Sequence, residues 1–401
     1  MNNIKFSKRV NHGEVSIIRE ILRLTVDPYV ISFAGGLPSP AGFPVQKIKE
    51  AYDKVLSENP YMALQYNSAD GYIKLREWVV DYMASKGAQI KPSNVLIVSG
   101  SQQALDLVSK VLLDEGSKIL VEAPSYLGAL QCFDQYFPKY ETIETDDHGL
   151  IPESITESNA KDARFLYALP NFHNPTGRTL SVERRIALLE KCKSLNVPII
   201  EDDPYGELIY HGESLPGLYA LSQKHGGTVI RLGSFSKVLS PGMRIGYIVA
   251  DEKIINALVE LKQATDLHTS VITQMAVYET IKDNFLDEHL PKVREIYRNQ
   301  CNYMLESLEE NFKDIDAKWT KPEGGMFIWM TLPPEFNTLD LLTPTIRDYK
   351  VAYVPGSAFY VASDPVHVKH NELRLSFVTV AEDKIRKGVE QLAQSIKNAK
   401  R

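Results

Sequence analysis

Lys237 stands in Gly-Ser-Phe-Ser-Lys, and Arg244 follows seven residues later in Pro-Gly-Met-Arg-Ile-Gly. A lysine amine attacks carbonyl carbons and takes protons once it is neutral. Arginine's planar fork suits a phosphate dianion, and Ser234 and Ser236 offer hydroxyl donors nearby. Asp202 closes the run Ile-Ile-Glu-Asp. A carboxylate buried there is costly unless it meets a cation, and a protonated heteroaromatic nitrogen is one. Asp203 is the rival for that role. Asp202 is preferred because it lies three residues before Tyr205, although either acid also serves as a turn-former before Pro204. Tyr205 and Asn174 can both hydrogen-bond a phenolate oxygen, and Tyr126 can lie flat against a ring. Ser-Gly-Ser-Gln-Gln (99–103) leads through Gly100 into a helix N-terminus, where free N–H groups and the helix dipole attract a phosphate. Singly, each feature has a plainer explanation: a surface lysine, a strand-to-helix turn, an Asn-Pro-Thr-Gly turn, a core tyrosine.

Together they ask for one ligand: a ring with a phosphate arm, a cationic nitrogen and an acidic hydroxyl, next to a lysine amine. Pyridoxal 5′-phosphate meets each requirement, with Lys237 as its Schiff-base lysine. There is no G-x-G-x-x-G and no Walker lysine motif, so a dinucleotide or a nucleoside triphosphate fits poorly.

Residues so far apart need a common scaffold. Six short apolar runs, at 94–98, 118–122, 164–168, 198–201, 228–232 and 245–250, predict buried strands covered on both faces. Helical patterns lie between them. Leu105, Val108 and Leu112 share one face of the helix after Gly100. Ile186, Leu189 and Leu195 do the same in the helix that Ser181 is placed to cap. Such alternation predicts an α/β fold with a mostly parallel sheet. Ligands of such sheets sit beyond the carboxyl ends of the strands. Five consecutive strand ends there deliver Gly100, Tyr126, Asn174, Asp202 with Tyr205, and Ser236 with Lys237.

After about residue 285 the pattern becomes a long amphipathic helix, a strand in Gly-Gly-Met-Phe-Ile-Trp-Met-Thr-Leu, a helix near 337–348 and further strands, which predicts a small α+β layer. In Glu-Leu-Arg-Leu-Ser-Phe, Leu373, Leu375 and Phe377 alternate onto one face and leave Arg374 and Ser376 on the other. That pattern alone leaves Arg374 equally open to a solvent-facing edge position. The first 45 residues fit neither pattern and are expected to form an arm across the site. The 45 Lys and Arg against 51 Asp and Glu give a net charge of −6, which argues against a nucleic-acid partner. The chain start lacks the apolar core of a secretory signal, and no apolar run spans a bilayer, so a cytoplasmic protein without a membrane partner is expected. Cys132, Cys192 and Cys301 are scattered and odd in number, which suits neither a disulfide framework nor a zinc site. No His-Glu-x-x-His occurs, and His367 and His370 lack a third ligand, so no metal is expected.

Asn-Pro-Thr-Gly, Asp-Asp-Pro-Tyr and Ser-Phe-Ser-Lys-x-x-x-Pro-Gly-x-Arg-Ile-Gly resemble the class I/II aminotransferases of pyridoxal-phosphate fold type I, over nearly the whole chain. Ser-Ile-Ile-Arg-Glu-Ile-Leu, Ile-Ser-Phe-Ala-Gly-Gly-Leu-Pro-Ser-Pro and Ser-Gly-Ser-Gln-Gln-Ala-Leu-Asp-Leu resemble more narrowly the branch of 2-aminoadipate and kynurenine aminotransferases. The resemblance implies a seven-stranded, mostly parallel sheet flanked by helices in a large domain (46–284), a small α+β domain (285–401), and an N-terminal arm (1–45) that joins the small domain. It implies Lys237 as the Schiff-base lysine, Asp202 on the pyridine nitrogen, Tyr205 and Asn174 on the ring oxygen, and Tyr126 stacked on the ring. Ser101, Gln102, Ser234, Ser236 and Arg244 would cradle the phosphate. Tyr66 would reach the phosphate of a neighbouring subunit, which implies a homodimer with shared sites. Arg374 would grip the substrate α-carboxylate, with Asn174 and Gly36 beside it. Arg19 resembles a mobile-arm arginine that meets a distal carboxylate, and equally suits the solvated face of an amphipathic helix. His173 is glutamine in several members of the family and is given no role. The implied reaction moves an amino group from 2-aminoadipate or an aromatic, branched or aliphatic amino acid to 2-oxoglutarate by a ping-pong route. A carbon–sulfur β-lyase would use the same residues. A pyridoxal-phosphate-sensing regulator would need a DNA-binding domain, for which the roughly 45 residues before the large domain leave little room.

Overall fold

The computed structural model describes residues 4–12, 21 and 27–399. Its main sheet has seven strands: β1 (Val95–Val98), β2 (Lys118–Glu122), β3 (Lys139–Ile143), β4 (Ala163–Ala168), β5 (Ile199–Asp202), β6 (Val229–Ser234) and β7 (Gly246–Val249). They lie in the order β1-β7-β6-β5-β4-β2-β3. All pairs are parallel except the two made by β7, with β1 and with β6. The carboxyl ends of β1, β2, β4, β5 and β6 therefore face one edge, and β7 starts from that same edge. Gly246 lies opposite both Val98 and Ser234. This register sets Arg244, two residues before, between the ends of β1 and β6.

The strands lack polar–apolar alternation because both faces are covered. In β1 all four residues are buried. Leu96 and Val98 join one apolar cluster, and Val95 and Ile97 join the cluster on the opposite face. β3 is the exception and the strand that the apolar runs did not reveal. It sits at the sheet edge, pairs only with β2, and buries only Ile143 of Lys-Tyr-Glu-Thr-Ile. Edge position alone does not explain this, since β1 is the other edge and is wholly buried; in β3 the helices leave all but Ile143 partly open to water.

Two of the helices lie where the sequence placed them, with faces that match only in part. Ser101–Leu112 buries Leu105 and Val108. Val182–Ser194 begins at Ser181, whose side chain accepts the Arg184 N–H. Its buried face, however, is Arg185, Leu188, Leu189 and Cys192, with Ile186 and Leu195 only half-buried. Arg185 takes an inward place because its guanidinium finds the carbonyls of Pro170, Leu180 and Pro216 and the Asn171 side chain. A buried cation with that many acceptors is tolerated.

Beyond the main sheet, Phe285–Asn311 buries Leu286, Leu290, Val293, Tyr297, Cys301, Met304 and Leu308, a spacing of three and four that marks one helix face. A second, antiparallel sheet runs Lys318–Trp319, Phe327–Thr331, Glu372–Ser376, Val354–Pro355 in spatial order. Glu372–Ser376 is thus an interior strand, and Arg374 is 3% exposed. The edge placement that alternation left open for it is ruled out by the pairing on both sides. Ile31–Ser32 pairs in parallel with Val351–Ala352, and the Ser376 N–H donates to Phe33 O at 2.8 Å. These bonds tie residues 31–33 to Val351–Ala352 and Glu372–Ser376, and the Lys237 side chain reaches the Gly36 carbonyl a few residues on. Among the described residues no helix is long and apolar enough to cross a membrane.

Candidate active site

Lys237 follows β6, and its Nζ donates to the Gly36 carbonyl at 2.9 Å. Burial, with Arg374 and Arg244 nearby, pushes its amine down to about 8. Each effect penalises the ammonium form. A Cβ at Gly36 would lie 3.2 Å from the Phe327 ring, a tight contact from which the ring must give by a few tenths of an ångström.

Strand alternation decides between the two acids. Glu201 and Asp203 point to one side and meet Arg231, at 3.0 and 2.8 Å. Asp203 also accepts the Gly206 N–H at 2.8 Å. Burial alone would raise its carboxyl, but the Arg231 guanidinium holds it below the ordinary value. Asp202 points the other way. Its Oδ2 accepts the Tyr167 hydroxyl at 2.7 Å, whereas Oδ1 is buried without a partner. Burial outweighs the help from Tyr167 and lifts the Asp202 carboxyl to about 7. One acid is committed to a salt bridge, and the other keeps an open oxygen.

Asn174 links two further groups. Its Nδ2 donates to the Tyr205 hydroxyl at 3.3 Å, and its Oδ1 accepts Arg374 Nη1 at 2.8 Å. Arg374 Nη2 donates to the Ala34 carbonyl at 2.7 Å, and its Nε is buried without a partner. The guanidinium lies 4.3 Å over the Phe327 ring and 5.1 Å from the Phe359 ring. Burial lowers its pKa to about 10, which still leaves it charged at neutral pH.

At the end of β1, Gly100 has φ +82° and ψ +164°, and a Cβ on it would run into the Arg244 guanidinium. Only glycine is at ease with that backbone. Ser101 opens the helix behind it, and Gln102 Nε2 donates to the Gly128 carbonyl at 3.3 Å. The Gln103 N–H already donates to the Gly100 carbonyl at 3.1 Å, so the N–H groups placed to meet an anion are those of Ser101 and Gln102. Arg244, itself at φ +51°, donates to the Pro241 carbonyl at 3.1 Å and keeps an exposed side chain. Ser234 Oγ accepts the Ser236 N–H at 3.1 Å. Tyr126, half-buried ahead of Leu127–Phe133, has its hydroxyl pKa raised by burial and then by Asp202.

Two expected residues are not part of this cluster as described. Tyr66 is 76% exposed and meets the His268 ring edge-on at 5.8 Å. Arg19 lies outside the described residues. Four features escaped the sequence reading: Tyr167 on Asp202, the Ala34 carbonyl, and the rings of Phe327 and Phe359 around Arg374. Tyr167 left a usable signal, because a hydroxyl in a doubly covered strand must find a partner. Among the described residues no group of three or more His, Cys, Asp or Glu could hold a metal ion.

The aminotransferase class I and II family matches residues 31–392. An aromatic-amino-acid aminotransferase of Thermococcus litoralis is 42% identical, over 98% of this chain and 94% of that one. The crystal structure of an alpha-aminoadipate aminotransferase from Thermus thermophilus, complexed with N-(5′-phosphopyridoxyl)-L-leucine, is 39% identical with a TM-score of 0.89, covering 98% of this chain and 97% of that one. A kynurenine aminotransferase of Pyrococcus horikoshii, in complex with PMP, is 40% identical with a TM-score of 0.92, covering 99% and 98%.

Proposed function

The chain belongs to the class I and II aminotransferases, enzymes of pyridoxal-phosphate fold type I that move amino groups from amino acids, and from that premise we propose where its site lies and what it accepts. The site is the cluster around Lys237 and Asp202. Its donors are 2-aminoadipate and aromatic or branched and aliphatic amino acids, and its acceptor is 2-oxoglutarate. The arm is 1–45, the large domain 46–284 and the small domain 285–401. The enzyme works in the cytoplasm as a homodimer with shared sites. The exposure of Tyr61 (90%), Leu64 (72%) and Tyr66 (76%) along one stretch supports a second copy lying there. The observation that carries the reading is the pairing of a lysine amine of lowered pKa with an unpartnered buried carboxylate oxygen at one sheet edge.

The residues present fit pyridoxal phosphate. Asp202 Oδ1 lacks a partner that a protonated ring nitrogen would supply. The glycine cradle at Gly100, with Ser101, Gln102, Ser234, Ser236 and Arg244, suits the phosphate. Tyr205 and Asn174 suit the ring hydroxyl, and Tyr126 the ring face. When bound, pyridoxal phosphate supplies the electron sink that lets an amino acid ionise at Cα. The chain's own residues do the rest. Arg374 binds the α-carboxylate through a guanidinium whose Nε is open, while Asn174 and Ala34 hold its other nitrogens in place. That grip orients the Cα–H bond. Lys237 takes the Cα proton on Nζ and holds it there for return. Burial of the cluster keeps water from competing and strengthens each charge contact.

An amino-donor panel with 2-oxoglutarate, followed by the absorbance of the bound cofactor, tests the proposal. We expect turnover with 2-aminoadipate and with at least one aromatic donor, and no more than about one equivalent of oxo acid per site without an acceptor. Ammonia and pyruvate released from a cysteine conjugate in the absence of acceptor would favour elimination instead.

Gly100→Ala is expected to weaken cofactor affinity roughly 10- to 100-fold, the equivalent of about 1–3 kcal/mol of backbone strain, and to displace Arg244. Titration of the cofactor-free protein with pyridoxal phosphate measures this. Wild-type affinity in the variant would remove this turn from the phosphate cradle.

A further inference from the structure

His173 directly precedes Asn174 and took no part in the reading so far. Its imidazole is 4% exposed. The Thr176 hydroxyl lies 2.9 Å from Nδ1, and the Thr176 N–H donates to that nitrogen at 3.4 Å. Thr176 Oγ1 in turn accepts the Arg178 N–H at 3.4 Å, which leaves its own hydrogen for Nδ1. Two donors on Nδ1 put the ring proton on Nε2. Nε2 faces Glu122 Oε2 at 3.4 Å, beside a small cavity that Pro124, Thr145 and Arg178 also line. Glu122 closes β2, is likewise 4% exposed, and accepts the Leu169 N–H at 3.2 Å. Nε2 makes no hydrogen bond at that separation, yet a carboxylate so buried is costly with one neutral donor, and the imidazole N–H dipole 3.4 Å away is a favourable electrostatic neighbour.

The same loop leads to Arg374 by two routes. Asn174 Oδ1 accepts Arg374 Nη1 at 2.8 Å. Gly177 packs so closely on the Phe327 carbonyl that a Cβ would collide with it, and the Phe327 ring supports the guanidinium at 4.3 Å. We propose that His173, through its contact with Glu122, is a positioning residue that fixes the loop 173–177 and thereby the placement of Arg374 against the substrate α-carboxylate. The inference rests on the role given to Arg374 above. His173 acts through Asn174, one residue on.

The holoenzyme tests it. Wild type, His173→Leu, His173→Gln and Glu122→Gln are compared on an amino acid and on the amine left when its α-carboxylate is removed. Absorbance of the bound cofactor establishes that each variant is folded and loaded. His173→Leu is expected to raise KM for the amino acid about tenfold, to change kcat by less than about threefold, and to leave the slow reaction of the amine unaltered. His173→Gln keeps a donor toward Glu122 and recovers most of the loss, and Glu122→Gln raises KM in the same direction. An unchanged KM in His173→Leu, or equal losses on amino acid and amine, overturns the proposal. Should His173→Leu fail to load cofactor, Glu122→Gln decides by the same two criteria. A wild-type enzyme without preference for the amino acid would overturn the role of Arg374 itself. That failure is distinct from a preference that stays intact when His173 is replaced.

Discussion

Lys237→Ala is expected to lower the rate of amino transfer by roughly 10⁴-fold or more, because it removes both the attacking amine and the proton carrier. The bound cofactor should also lose the absorbance that depends on its link to this lysine. The position is tuned as well as occupied. With the amine lowered to about 8, mainly by burial and then by Arg374 and Arg244, roughly a tenth of it is neutral at pH 7, about two orders of magnitude more than for an ordinary lysine. The neutral form reacts, so recombination of the cofactor-free protein with pyridoxal phosphate should quicken as pH rises through about 8 and level off above it. A profile still rising beyond pH 10 would show that the lysine is not desolvated in solution. Comparable turnover in Lys237→Ala would remove it from the mechanism.

The depth to which this site was legible follows from what each residue depends on. Asp202 sits one residue past an apolar run, and Tyr205, Lys237 and Asn174 follow such runs by four, five and six residues, close enough that parallel strands carry them to one edge. The ends of β1, β2, β4, β5 and β6 needed only that rule. Arg374 was half-legible. Alternation put it opposite Leu373 and Leu375, but only the pairing of its strand on both sides shows that its side of the sheet is closed to water. Tyr167, Ala34, Phe327 and Phe359 act through contacts between distant segments, and neither periodicity nor spacing encodes those. β3 stayed hidden because only Ile143 of its five residues is buried, so it has no apolar run to read. The preference for Asp202 over Asp203 rested on its distance from Tyr205. The decisive feature is Arg231, which lies on the adjacent strand β6 opposite Glu201 and occupies both Glu201 and Asp203.

That division of labour gives Asp202→Asn two opposite consequences. The amide cannot hold a ring nitrogen protonated, so Cα proton abstraction should slow by roughly 10²–10³-fold, the usual loss when one preorganised electrostatic partner is removed. Cofactor should still bind, because the phosphate cradle and Lys237 are untouched. Stability should move the other way. The folded-state carboxyl is raised from 3.8 to about 7, so the native chain binds more protons than the unfolded one across that window. The stabilisation present at low pH is lost as pH climbs from about 4 to 7, and at neutral pH the cofactor-free protein carries a poorly compensated buried charge. Asn removes that charge, and the cofactor-free variant should gain stability at pH 7 on the order of a few kcal/mol, with the gain vanishing below pH 4. Asp203→Asn provides the contrast. It takes one carboxylate from the buried Arg231 and should lower Tm. Single-turnover kinetics and thermal melts of both variants across pH 4–8 measure these effects. Unaltered proton-abstraction kinetics in Asp202→Asn, combined with a loss in Asp203→Asn that exceeds its cost in Tm, would transfer the ring-nitrogen role to Asp203. A cofactor-free Asp202→Asn protein no more stable than wild type at pH 7 would mean that the open oxygen of Asp202 is already compensated before the cofactor arrives.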